Sequence, residues 1–172
     1  MTTILLWLSF LFAPQHATLR ESPFRVMHLH AAARNLPDVA TPGMADDVVD
    51  FAVMRQTRRV PAALIVALAW GESRFDPMAS PACGVMQVYP NDLGEPASAC
   101  ALWRRDLQAG VRAGVREIEM MLDDKRVHND LYLALLYRAC GNQAFNGTCA
   151  KHAWVRDALY RWHTLEINSA SS

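Results

Sequence analysis

Residues 62–70 (AALIVALAW) form nine consecutive apolar positions, preceded by Pro61 and followed by Gly71 and Glu72. A helix that is apolar on every side has no face to offer water, so the rest of the chain must wrap around it. Pro61 suits the first helical turn, where its missing N–H would be unpaired in any case. Helical spacing places Glu72 above Leu68, Ile65 and Pro61. A carboxylate there loses hydration and lies near the negative end of the helix dipole, and both effects disfavour its charged form. A protonated carboxyl is what a general acid requires. Taken alone, the same glutamate reads better as a helix end reaching water, with Gly71 beside it starting to unwind the turn.

The segment that follows decides between the two. Asp76-Pro77 stops the helix after Phe75, since a residue before proline avoids the α region. Gly84, Val85, Met86, Gln87 and Val88 then bring a glycine, an amide and alternating apolar residues back along the chain. Residues 76–99 contain Pro77, Pro81, Pro90, Pro96, Gly84 and Gly94, which predicts a long irregular loop with short strands at most. A loop of that length inside a compact domain points to a site. Gly84 would allow close backbone approach to a ligand, and Gln87 offers both donors and acceptors.

The ordered run Glu72, Ser73, Phe75, Asp76, Pro77, Gly84, Met86, Gln87 resembles the catalytic segment of the soluble lytic transglycosylases. That segment reads Glu-Ser, an aromatic, Asn or Asp, Pro, and later Gly-x-Met-Gln. The chain departs from the family in three places. Ser80-Pro81-Ala82-Cys83 replaces a longer Ser-x-x-Gly-Ala turn, Gly110 stands where asparagine is common, and Arg138 replaces the asparagine of Ala-Tyr-Asn-Ala-Gly, with Cys140 near the glycine. Tyr137 matches the family tyrosine, whose hydroxyl faces the catalytic glutamate. Trp154 occupies the aromatic slot of the closing helix, where it either plugs the core or stacks on a sugar.

The resemblance implies a mainly α-helical, lysozyme-like domain with two groups of helices flanking a glycan groove. It implies cleavage of the β-1,4 bond between N-acetylmuramic acid and N-acetylglucosamine, with Glu72 as acid and then base and a 1,6-anhydro product. Ser73, Gly84, Met86, Gln87 and Tyr137 would bind substrate, and no metal or cofactor is required. Ordinary glycosidases use two carboxylates, and no convincing second one stands out here; Asp76 belongs to the helix-stopping turn and Asp92 to the loop. The rivals are a goose-type lysozyme hydrolase using a carboxylate such as Asp92, and a glycan-binding or secretion-accessory module that has lost turnover.

The chain of 172 residues has zero formal net charge, with no basic footprint for nucleic acid. Residues 1–17 read as an export signal, because the apolar run 4–13 fits an h-region and is too short to span a membrane. Cys83, Cys100, Cys140 and Cys149 are even in number and suggest disulfides in an oxidising compartment, periplasmic or extracellular. Sequence does not choose among the pairings. Cys83 with Cys100 and Cys140 with Cys149 are preferred because each closes one loop between helices, and the spacings give zinc little support.

Residues 18–45 read as a connector with a helix-compatible piece at 24–34, in which His28 and His30 are solvated rather than metal ligands. The domain is expected over 46–167, a frayed tail over 168–172, and a monomer acting on peptidoglycan strands. Its first helix is expected to begin at Asp46 or Asp47, with Phe51 as anchor. Residues 101–124 predict one long amphipathic helix with Leu107, Val111, Val115, Ile118 and Leu122 inward. On it, Gly110 and Gly114 predict close packing by another helix, since each costs roughly 1 kcal/mol against alanine. Further helices are expected over 130–139 and 151–166, and Asn146-Gly147-Thr148 reads as a turn.

Overall fold

The computed structural model describes residues 21–39 and 42–170, so the expected export signal lies outside the described residues. Seven α-helices carry the described chain: α1 Pro23–Arg34, α2 Pro42–Arg55, α3 Ala62–Ser73, α4 Ala99–Arg105, α5 Leu107–Asp123, α6 Leu131–Cys140 and α7 His152–Ala170. Two short 3-10 turns, Pro90–Leu93 and Gly141–Phe145, complete it. Among the described residues there is no strand, only an isolated bridge between Cys83 and Val88. None of the described helices is long and apolar enough to cross a membrane.

Helix α3 is the axis of the core. All nine residues of its apolar run are buried, as the sequence demanded. Pro61 is the N-cap, its carbonyl accepting from the N–H groups of Leu64 and Ile65 at 3.0 and 3.2 Å. Around α3 pack α2, α5 and α7, with α4 and α6 against α5. The helix ends abruptly because Arg74 and Phe75 both take left-handed backbone, φ 57° and 66°. That conformation costs a side-chain-bearing residue roughly 1–2 kcal/mol. Complete burial of Phe75 offsets it, and Arg74 lays its guanidinium over the Trp70 ring at 3.8 Å.

Three expectations change. The stretch read as a connector contains a docked helix: α1 packs on α7 and α2 and buries Leu29 and Ala33. His30 there bonds Asp46 at 2.9 Å and Asp50 at 3.1 Å, which fastens α1 to α2. The first domain helix begins at Pro42 rather than Asp46, and Val48, Val49 and Ala52 are its buried anchors while Phe51 is half-buried. The single helix expected over 101–124 is two, because Asp106 takes extended backbone and caps α5, accepting from the N–H of Ala109 at 3.0 Å. An aspartate inside an apolar stripe was the available cue.

Between α3 and α4 the chain holds no α-helix, only the 3-10 turn Pro90–Leu93. The two glycines of α5 meet different neighbours: a Cβ at Gly110 would lie 2.9 Å from the Trp103 carbonyl of α4, the close helix expected there, whereas Gly114 receives the loop. A Cβ at Gly114 would overlap the Met86 side chain. A Cβ at Gly84, whose φ is 68°, would sit 2.9 Å from the Trp103 carbonyl. Both disulfides form in the preferred pairing, Cys83–Cys100 holding the loop to α4 and Cys140–Cys149 closing the turn after α6. All four cysteines are thereby occupied. Asn146 caps its own turn, its side chain accepting from the Thr148 N–H at 3.1 Å.

Candidate active site

A groove enclosing about 740 Å³ runs along the end of α3. The irregular loop supplies Pro81, Ala82, Gln87, Tyr89 and Asp92 to its walls, and α5 and α6 supply Glu117 and Arg138. Lys151 and Trp154 close it from the α7 side. Past Arg138 the groove continues along Met120, Met121, Tyr137 and Asn142. Glu72 reaches it from the last turn of α3, with its side chain 20% exposed. The helix needed to bury its apolar face and the turn at Arg74 needed to end it. Together they leave this one carboxylate at the boundary between core and groove.

Glu72 does not stand alone there. Arg138, itself only 5% exposed, donates from Nη1 to a Glu72 carboxylate oxygen and from Nε to Oε2 of Glu117 at 2.7 Å. Its Nη2 donates to the backbone carbonyls of Met86 and of Gln87, the latter at 3.3 Å. Every nitrogen of the guanidinium is therefore engaged, as a buried arginine requires. Burial by itself would lower the Arg138 pKa; the Glu117 and Glu72 charges outweigh burial and raise it, so the group stays cationic. Burial pushes the Glu117 carboxyl upward, Arg138 opposes that, and the charges of Asp92 and Glu72 add to the rise. The isolated, desolvated carboxyl expected at Glu72 is thus one arm of a buried Glu–Arg–Glu cluster.

Several residues expected to touch substrate have other duties. Ser73 is buried, and its hydroxyl lies 3.0 Å from the Ala69 carbonyl and 2.9 Å from that of Val85, tying α3 to the loop. The close approach made by Gly84 is to the Trp103 backbone, not to an open site. Met86 is fully buried against Gly114, and only its carbonyl faces the cluster, where it receives Arg138. Gln87 lines the groove, but its amide nitrogen already donates to the carbonyls of Ala79 and Gly84, and its side-chain oxygen accepts from the Ala82 N–H. A left-handed backbone at Gln87, φ 50°, folds the side chain back into its own loop in this way.

Tyr137 lines the continuation of the groove rather than the walls around Glu72. Its hydroxyl accepts from Arg126 Nη2 at 3.0 Å, and Arg126 also grips Asn142 and Asp124. Trp154 is half-buried: it packs on the core and lines the groove wall.

No protein-family model, curated protein or solved structure matches the chain. The site therefore rests on its own geometry. The residue that sequence reasoning passed over is Glu117. It lies three positions after Gly114 and seven after Gly110, on the face of α5 that closes against the loop. A carboxylate on a buried glycine face needs a cation, and that was the cue to look for one on the next helix.

Proposed function

We propose that this chain is a peptidoglycan lytic transglycosylase of lysozyme-like design, with Glu72 as the acid and then the base. The supporting observation is Glu72 itself, a carboxylate carried by the helix whose whole apolar run is buried and lining an open groove. In this reading Glu72 protonates the glycosidic oxygen as the bond to the muramoyl C1 breaks. The muramoyl acetamido oxygen stabilises the cationic carbon. The Glu72 carboxylate then takes the proton of the same sugar's 6-hydroxyl, whose oxygen closes on C1, and no water is consumed. Trp154 offers an apolar surface for a pyranose ring. Ser73, Gly84, Met86 and Gln87 shape the wall from behind. The two disulfides suit an oxidising compartment, where such a substrate is found.

Two observations favour other readings. The ion pair between Arg138 and Glu72 favours a glycan-binding module without turnover, because an acid held as a carboxylate has no proton to give. Asp92, exposed on the groove wall, is placed to activate water in a hydrolase. Clearing of purified peptidoglycan by wild type and Glu72→Gln separates the module from the enzyme. The transglycosylase reading expects wild type to clear and the variant to lose about 10²–10⁴-fold in rate. Equal clearing by both, or retention on peptidoglycan with no clearing by either, defeats it.

A further inference from the structure

The Glu72–Arg138–Glu117 cluster poses a problem for an acid catalyst. An arginine hydrogen-bonded to a lone carboxylate stabilises the charged form, typically by 1–3 pH units for such pairs. Arg138, however, is shared. Its Nε bonds Glu117 at 2.7 Å, that side chain is only 5% exposed, and Nη2 is fixed by the carbonyls of Met86 and Gln87. A buried carboxylate on the far side of the guanidinium cancels most of the positive charge that Glu72 would otherwise feel.

We propose that Glu117 is a positioning residue that neutralises Arg138, so that Arg138 can hold Glu72 in place without fixing it as a carboxylate. The inference rests on the assignment of Glu72 as acid and base. With Glu72 protonated, the cluster of Arg138⁺ and Glu117⁻ is neutral. Transfer of the Glu72 proton to the glycosidic oxygen leaves the cluster at −1, with Nη1 of Arg138 donating to the new carboxylate. Return of the 6-hydroxyl proton restores neutrality. Arg138 keeps its other bonds throughout, so the acid and base forms of Glu72 share one side-chain position. Burial works against the Glu117 charge, and the ion pair and hydrogen bond with Arg138 are what oppose that burial. The other charged groups lining the groove beside Glu72 are Asp92 from the 3-10 turn and Lys151 just before α7, both exposed where water screens them, while Arg161 of α7 lies against Gly71 and over the Trp70 ring, paired with Asp157.

Carbon-13 NMR of the glutamate side-chain carboxyls tests this without turnover, with the Glu72 resonance assigned by its absence in Glu72→Gln. Glu117→Gln keeps the size and the acceptor oxygen but removes the charge. In this variant the alkaline limb of peptidoglycan clearing should move to lower pH, with about a tenfold loss near neutrality, and the Glu72 carboxyl resonance should follow it in the same direction. Glu117→Gln/Arg138→Met, which removes both charges together, should bring the titration back to the wild-type value or above. Glu119→Gln, a charge loss two residues away on α5, should leave it unchanged. Identical Glu72 titrations in wild type and a folded Glu117→Gln overturn the inference. Should that single variant not fold, a double variant that titrates below wild type overturns it equally. A wild-type chain that clears no peptidoglycan at any pH removes the catalytic reading on which the inference stands. An active wild type with an unmoved titration defeats the inference alone.

Discussion

Helix α5 carries two glutamates, Glu117 and Glu119, and each shares an arginine with a second acid. Glu119 and Asp123 hold Arg59, which joins the turn before α3 to the end of α5; Thr57 donates its hydroxyl to Glu119 as well. Arg59 is 34% exposed and Asp123 69%, so water reaches that cluster freely. Glu117 and Glu72 hold Arg138, and there the arginine and Glu117 are each 5% exposed. The bonding pattern is the same and the surroundings are opposite. One cluster is a clasp on the surface. The other is nearly closed to water, and Glu72, 20% exposed, is its most open member at the groove. An arginine between two acids is therefore not a functional mark in itself; burial that ends at a groove is.

The largest contrast is expected from the arginines. Arg138→Met leaves Glu117 as an uncompensated buried charge and two carbonyls without a donor, a loss of about 3–5 kcal/mol in urea denaturation. Arg59→Met, at the exposed clasp, should cost no more than about 1 kcal/mol. Equal losses would erase the distinction drawn between the clusters. Gly114→Ala comes next. A methyl there overlaps Met86, whose carbonyl anchors Arg138, so a loss of about 1–3 kcal/mol should appear together with reduced clearing. Loss of stability with wild-type clearing would show that the loop register does not matter to the cluster.

A third pair sharpens the comparison at its exposed end. Asp124, just past α5, is gripped by Arg126, which lowers its carboxyl to about 2. A carboxyl lowered in the folded state stabilises above its ordinary value of 3.8 and loses that contribution as pH falls through about 2. The melting temperatures of wild type and Asp124→Asn should differ by a small constant amount from pH 7 to pH 5 and converge near pH 2. A difference that persists at pH 2 would contradict this, and unlike Glu117→Gln the variant should not move the pH profile of clearing.

What the sequence made legible was local. Nine apolar residues marked α3 as buried, and the Asp76-Pro77 stop placed its end near Phe75, although the left-handed Arg74 and Phe75 end it already at Ser73. Short loop closures singled out the disulfide pairs, and Gly110 and Gly114 announced a close approach on α5. The partner was foreseen at Gly110, where the Trp103 carbonyl of α4 comes near, and missed at Gly114, where the loop's Met86 side chain fills the gap, because a bare glycine face does not say whose atoms approach it. Ser73 and Gln87 show a second limit. Their polarity was plain, but Ser73 spends its hydroxyl on the carbonyls of Ala69 and Val85, and Gln87, though at the groove wall, spends its amide on its own loop. The Glu117–Arg138 contact lay furthest from view. It joins residues on two helices, and each taken singly resembles a solvated charge.

The mass of the products released from purified peptidoglycan is the most direct test of Glu72 acting first as acid and then as base on one sugar. Attack by the muramoyl 6-hydroxyl predicts 1,6-anhydromuramoyl ends, lighter by one water than hydrolytic ends, from wild type and not from Glu72→Gln. Reducing muramoyl ends from wild type would contradict it and assign the attack to water, with Asp92 the residue to change next.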